Sequence, residues 1–243
     1  MARYAITLEY LGKNYCGSQK QPNGKSVQDK LEEVLRTLTK TNIKTVFSGR
    51  TDKGVNSKGQ IVHFDTDISI VASRFIRSMN GILPNDIAVS DIKQVEDDFH
   101  SQRWAKRRHY QYVFVNRKHR SVFDKDLMLI RKECDIERMN KSLEYLLGEH
   151  DFTSFRGADS NVPSSICFIY KASCKKVGDT VVLDIVGNRF LYNMVRIIVG
   201  TLLLIEKDDL PAEFMKEILD GRDRTKAGRT VSPNGLTLMK VEY

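Results

Sequence analysis

Cysteine, proline and tryptophan are scarce: the 243 residues include 4 Cys, 5 Pro and 1 Trp. Cys16, Cys134, Cys167 and Cys174 form no C-x-x-C pair, so neither a zinc knuckle nor a disulfide framework is expected and the thiols read as reduced. No Cys-His set has metal-ligand spacing, and no metal is expected. Long apolar runs are also missing. The longest, interrupted only by Gly or Thr, is Ile197 to Ile205, far short of the ~20 residues a bilayer crossing needs, which rules out a membrane span, and no membrane partner is expected. The opening MARYAITLEY has no basic segment followed by an apolar run, so a cytoplasmic location is expected.

One stretch lacks a whole class of charge. No Asp or Glu stands between Phe99 and Phe123, where Arg103, Lys106, Arg107, Arg108, Arg117, Lys118 and Arg120 supply +7 of a formal net charge of +8. The basicity is therefore local. His100, His109 and His119 lie in the same stretch, interleaved with Trp104, Tyr110, Tyr112 and Phe114. That mixture suits phosphate contact combined with base stacking. A solvated edge strand guarded by cations is the plainer alternative, but charge asymmetry coinciding with aromatics favours nucleic acid.

With 41% hydrophobic and 29% charged residues the chain can bury a core and is too apolar to be disordered. Tyr4 to Tyr10 alternates with the period of a strand. Ser26 with Asp29 three residues on caps a helix whose stripe is Val27, Leu31, Val34, Leu35 and Leu38. Strands near Lys44 to Ser48 and Gln60 to Asp65 follow. A helix from Ala72 to Leu83 stops before Pro84, and Ile87 to Val95 reads as a strand. Strand, helix, two strands, helix, strand is the split βαβ order of ferredoxin-like and RNA-recognition folds.

A second pass starts at Trp104. It has a strand over Tyr110 to Val115, a helix from Ile136 to Leu147 closed by Gly148, strands over Ile166 to Val177 and Thr180 to Gly187, a helix near Leu191 to Ile205, a short helix after Pro211 and a last strand at Leu236 to Tyr243. The expected fold is α+β, two RRM-like halves with antiparallel sheets joined around a central cleft. The division is 1–103, carrying an aspartate loop, and 104–243, carrying the basic strand and Arg196.

Ser48-Gly-Arg-Thr-Asp-Lys-Gly-Val-Asn56 lies between two strands, with Gly49 and Gly54 bracketing Arg50 and Asp52. A carboxylate beside cations has a lowered pKa, so Asp52 is expected ionised and available as nucleophile or base. The Gly49 to Gly54 spacing resembles a phosphate loop, but no Lys-Ser or Lys-Thr follows. A surface turn with a hydrogen-bonding Asp is an equal reading of these residues. Arg196 stands among apolar neighbours in Phe190-Leu-Tyr-Asn-Met-Val-Arg-Ile-Ile-Val-Gly200. A buried guanidinium needs an anionic partner, and Asp52 would serve; a helix arginine that snorkels to water is the alternative. Tyr110 also fits a core-facing sheet residue.

Gly49-Arg-Thr-Asp-Lys-Gly-Val55 resembles the GRTD-x-GV signature of TruA-type tRNA pseudouridine synthases. The likeness extends along the chain through Gly17-Ser-Gln-Lys-Gln21, Ser26-Val-Gln-Asp-Lys-Leu-Glu32, Gly59-Gln-Ile-Val-His-Phe64, Asn80-Gly-Ile-Leu-Pro84, Asp98-Phe-His100, Arg108-His-Tyr-Gln-Tyr112, His150-Asp-Phe-Thr-Ser-Phe-Arg156, Phe190 to Arg196 and Gly235 to Tyr243. The resemblance implies a cofactor-free isomerase that detaches uracil from ribose, rotates it and rejoins it through carbon. Asp52 then matches the catalytic aspartate, Arg50 the signature arginine, Tyr110 the tyrosine that packs on the target uracil, and Arg196 the basic partner of the aspartate. It also implies a homodimer with its active site between the halves and a basic cleft for tRNA. Arg103, Lys106, Arg107, Arg108, Arg117 and Lys118 are the candidate RNA contacts.

The chain departs from the family pattern at Asn56 and Ser57, where the family reads GVHA, and at Gln102, where it reads FHAR. The carboxylate has three routes open to it: attack on the sugar, attack on the base, or removal of a sugar proton. A flipped uridine must leave its stack, and an aromatic face with cations can hold it. The expected activity is isomerisation of uridines in the anticodon arm of tRNA. The alternatives are the same chemistry on ribosomal RNA, or a non-catalytic RNA-binding module.

Overall fold

The computed structural model describes residues 1–22, 24–158 and 162–243. They form two units, Met1–Lys106 with Thr237–Tyr243, and Arg107–Leu236. The boundary falls three residues beyond 103, and the terminal strand, expected in the second half, lies with the first. The physical reason is main-chain pairing: Thr237 and Leu238 stand opposite Asn56 and Ser57, and Lys106 N–H donates to the Glu242 carbonyl over 2.7 Å.

The first unit contains β1 (Ala2–Tyr10), α1 (Val27–Thr39), β2 (Val46–Phe47), β3 (Asn56–Thr66), α2 (Ala72–Ile82) and β4 (Ile87–Val95). β4 pairs β1, β1 pairs β3 and β3 pairs β2, all antiparallel, which is the strand arrangement the split βαβ order implies. The terminal strand (Leu236–Glu242) joins β3 in parallel, so the sheet is mixed where an antiparallel one was expected. α1 starts where the sequence says: Asp29 N–H donates to Ser26 Oγ over 3.1 Å and Ser26 N–H to Asp29 Oδ2 over 2.9 Å. Lys40 at φ 59 ends it. Val27, Leu31, Val34 and Leu35 are buried with Tyr4, Ile6 and Leu8 of β1 and Val62 and Phe64 of β3, each large side chain contributing about 1.5–3 kcal/mol.

The second unit contains β5 (Arg107–Asn116), β6 (Leu129–Ile130), α3 (Ile136–Glu144), β7 (Gly148–Asp151), β8 (Ile166–Val177), β9 (Thr180–Gly187), α4 (Met194–Lys207) and α5 (Phe214–Gly221). β5–β9–β8–β7 is an antiparallel run, and two-residue β6 lies parallel to β5. β6 and β7 are too short to announce themselves by periodicity. α3 ends at Glu144; Gly148, expected to close it, has φ 94 and opens β7. α4 begins at Met194 rather than Leu191 because Asn193, at φ 61, is left-handed.

Gly200 and Gly228 let a return segment cross α4. A Cβ on Gly200 would sit 1.8 Å from the Arg229 carbonyl oxygen, and Gly228 N–H donates to Thr201 Oγ1 over 2.9 Å. Among the described residues no helix is long and apolar enough to cross a membrane. The expected α+β class stands.

Candidate active site

The loop between β2 and β3 is held from below by buried polar side chains. Gln60 on β3 donates through Nε2 to the Gly49 carbonyl (2.9 Å) and the Tyr10 hydroxyl (3.3 Å), and accepts from Ser48 Oγ at Oε1 (2.5 Å). The Tyr10 and Thr51 hydroxyls are 2.8 Å apart. Ser18 Oγ accepts from Thr51 N–H (2.8 Å), while Ser18 N–H donates to the Thr51 carbonyl (3.1 Å). Tyr10, Ser18, Ser48, Thr51 and Gln60 are all buried. Burial raises the Tyr10 pKa, so its hydroxyl stays protonated. A network of satisfied buried groups fixes geometry, because each broken bond would leave a desolvated polar atom.

The far side of the loop closes through Val55 N–H to the Asp52 carbonyl (3.1 Å), with Gly54 at φ 82. The chain leaving β1 packs against this turn at Gly12, where a Cβ would stand 2.1 Å from the Val55 carbonyl oxygen. The backbone is thus anchored on both sides of Asp52, which is half-buried, while Arg50 is exposed. A carboxylate on a fixed backbone, part-way into solvent, can meet a substrate without first being ordered.

Arg196, in the first turn of α4, is half-buried. Its Nε donates to the Val231 carbonyl (2.8 Å) and Nη1 to Asn193 Oδ1 (2.6 Å). Two directed bonds set the plane of the guanidinium. The Val231 segment is itself tied down, since the Tyr112 hydroxyl donates to the Ser232 carbonyl (2.8 Å) and Arg224 Nη1 donates to the Gly228 carbonyl (3.1 Å). Burial raises the Tyr112 pKa. Tyr110, two residues earlier on β5, is 9% exposed, and its ring meets Phe190 edge to face at 5.2 Å.

The basic candidates divide into two kinds. Arg103, Lys106 and Lys118 are exposed. Arg107 lies over the Tyr170 ring, 4.5 Å from its centroid. Arg108, by contrast, is half-buried and donates to the Asn188 carbonyl over 2.5 Å. Arg117 is engaged by two carboxylates, Asp124 at 2.5 Å and Asp179 at 3.3 Å. Sequence spacing shows neither of these internal commitments.

The departures are built into the first unit. Asn56 Oδ1 accepts from Gly12 N–H (2.9 Å). Ser57 Oγ donates to the Leu238 carbonyl (3.3 Å) and accepts from Gly59 N–H (3.2 Å). Gln102 is exposed. Residues that sequence reading did not single out are Ser18, Gln60 and Asn193. All three fall inside motif stretches quoted above, and a polar residue at an expected core position of β3 was the signal for Gln60. Among the described residues no group of three or more His, Cys, Asp or Glu is placed to hold a metal ion.

Residues 143–243 match the family model described as tRNA pseudouridine synthase. tRNA pseudouridine synthase A of Francisella philomiragia subsp. philomiragia is 38% identical over 244 residues, covering 100% of this chain and 95% of that protein. tRNA pseudouridine synthase A of Colwellia psychrerythraea is 39% identical over 242 residues, covering 99% and 93%. Among solved structures, an archaeal box H/ACA sRNP Nop10–Cbf5 complex matches with a TM-score of 0.37 and 10% identity, over 83% of this chain and 43% of that one.

Proposed function

The chain belongs to the TruA-type family of tRNA pseudouridine synthases, isomerases that act on tRNA, and on that premise we propose that Asp52 is its catalytic carboxylate. The observation that carries this reading is the buried Gln60–Ser48–Tyr10–Thr51–Ser18 network, which holds the main chain on either side of a half-exposed Asp52. Isomerisation leaves composition unchanged: one carbon–nitrogen bond is exchanged for a carbon–carbon bond, the ring carbon that joins ribose gives up its proton and the freed ring nitrogen takes one up, so no oxidant and no second substrate are consumed. Arg196 belongs to the same catalytic set by resemblance, while Arg50 and Tyr110 bind the substrate, the target uracil packing against Tyr110.

The tRNA contacts of this proposal are Arg103, Lys106, Arg107 and Lys118, whose cations face solvent or an exposed ring; Arg108 and Arg117 organise the second unit instead. The substrate uridines are those of the anticodon arm, and the protein works as a homodimer in the cytoplasm.

The test is Asp52→Asn on unmodified tRNA. Pseudouridine formation is expected to vanish while tRNA binding persists, because the change removes the charge and keeps the shape. Turnover by the variant would remove Asp52 from the chemistry, and wild-type protein inactive on total unmodified tRNA would favour a binding module. Mapping pseudouridine with and without the gene separates substrates: loss at anticodon-arm positions is expected, and loss confined to ribosomal RNA would overturn the tRNA assignment.

A further inference from the structure

Phe123, in the segment joining β5 to β6, is 94% exposed, and its neighbour Val122 is 66% exposed. Two adjacent apolar side chains set this far into water mark a surface that meets something. Lys118, His119, Arg120 and Lys125 are exposed around them.

The segment is built rather than loose. Val115 N–H donates to the Met128 carbonyl (2.9 Å) and Arg117 N–H to that of Ile130 (3.1 Å), closing its base. Leu127 N–H donates to the Asp124 carbonyl (2.9 Å), and Phe123 N–H to Ser121 Oγ (3.2 Å). The Arg117 guanidinium draws Asp124 and Asp179 together, and its Nε is buried with no hydrogen-bond partner among the described residues, a cost accepted where the residue holds a shape. Arg117 pairs with Asp124, the acid next to Phe123, and over residues 117–126 the four cations Arg117, Lys118, Arg120 and Lys125 outnumber the two acids Asp124 and Asp126, so the loop keeps a positive balance.

We propose that this loop is a further RNA contact, in which Phe123 stacks on an unpaired base of tRNA and Lys118, Arg120 and Lys125 hold the adjoining phosphates. An aromatic face ringed by cations matches the two surfaces a single strand offers, a base plane and a charged backbone. A second copy of this chain fits less well, because a two-fold contact through the loop would set the same cations against themselves. The inference rests on tRNA as the substrate and not on which residue performs the isomerisation.

The experiment compares wild-type full-length protein with Phe123→Ala, Phe123→Trp and the combined Lys118→Ala, Arg120→Ala, Lys125→Ala variant, with an unmodified tRNA transcript as the probe. Since Phe123 is exposed, its variants should melt with the wild type. Phe123→Ala is expected to raise Kd and KM about fivefold or more with kcat at saturation unchanged, and Phe123→Trp to restore both. The salt dependence of binding should be unaltered in Phe123→Ala, which removes no charge, and flattened in the lysine–arginine variant. Wild-type affinity in Phe123→Ala would overturn the proposal, as would unchanged affinity with a fall in sedimenting mass, which would make the loop a contact between copies. A wild-type protein that binds tRNA but makes no pseudouridine would sink the catalytic reading, while the Phe123 comparison would still be read from binding.

Discussion

The Gln60 side chain donates to the carbonyl of Gly49 over 2.9 Å, so a residue in the middle of β3 sets the backbone three positions before Asp52. The same amide group accepts from Ser48 and donates to Tyr10, which makes Gln60 the hub of the support beneath the loop.

Gln60→Leu is nearly isosteric and removes all three bonds at once. Leaving the Gly49 carbonyl and the Ser48 and Tyr10 hydroxyls desolvated should cost about 1–3 kcal/mol of stability, read as a lower denaturant midpoint. Turnover should suffer separately. A displaced Asp52 lowers kcat by roughly tenfold or more, equivalent to ~1.4 kcal/mol of barrier, with KM close to wild type. A variant that is less stable but turns over normally would show that the network supports the fold and not the carboxylate.

Arg196 offers a second positioning test, through Asn193. The main chain there is at φ 61, so Asn193→Ala would mix a lost acceptor with backbone strain. Asn193→Gly tolerates that conformation and removes the side chain whose Oδ1 accepts the hydrogen bond from Arg196 Nη1. We expect a well-folded protein whose kcat falls. Arg196→Lys should fall further, since an ammonium cannot reproduce the planar pair of bonds to Val231 and Asn193.

These tests bear on what could be read beforehand. α1, α2 and the long strands were legible because each is amphipathic, and the Ser26–Asp29 box forms as its spacing implies. Short β6 and β7 were not, since two to four residues carry no period. The association of the terminal strand with β3 depends on a pairing 181 residues apart, Ser57 to Leu238, which local pattern cannot encode. The sequence marks the candidate residues Asp52 and Arg196, one in each unit, by their contrast with their surroundings. It hides their supports, because a buried Gln or Ser looks like any other polar residue until its partner is known. It likewise hides that Arg117 is spent internally, since Asp179 is 62 residues away.

Stability should depend on pH through His63. This side chain is 4% exposed; burial first, then the nearby Arg3 and His100, hold its pKa down at about 4 against an ordinary 6.5. Its Nδ1 accepts from Ser101 N–H over 3.2 Å, an arrangement that needs the neutral ring. The native state therefore refuses a proton that the unfolded chain takes up below 6.5. The contribution is fully present above 6.5 and is lost as pH falls from 6.5 to about 4. His100, also depressed by burial, acts in the same direction. The melting midpoint should decline across that window, and His63→Asn should flatten the decline; an identical slope in the variant would assign it to other groups.

Two glycines inside helices should respond to alanine with opposite signs. Gly81 is exposed in α2, and a β-carbon added there would have nothing within 4 Å, so Gly81→Ala should stabilise by about 0.5–1 kcal/mol through helix propensity and a less flexible unfolded chain. Gly200 in α4 is the reverse case. Its Cβ would lie 1.8 Å from the Arg229 carbonyl oxygen, and the obstacle is backbone that cannot rotate aside. Either α4 or the return segment must move, which should cost about 3 kcal/mol or more. The segment that would be pushed leads two residues later to Val231, whose carbonyl orients Arg196. Gly200→Ala is therefore expected to lower the melting midpoint and, in the fraction that folds, to lower kcat as Asn193→Gly does. A stable Gly200→Ala protein with wild-type turnover would mean that the crossing has slack and that Arg196 is not held through it.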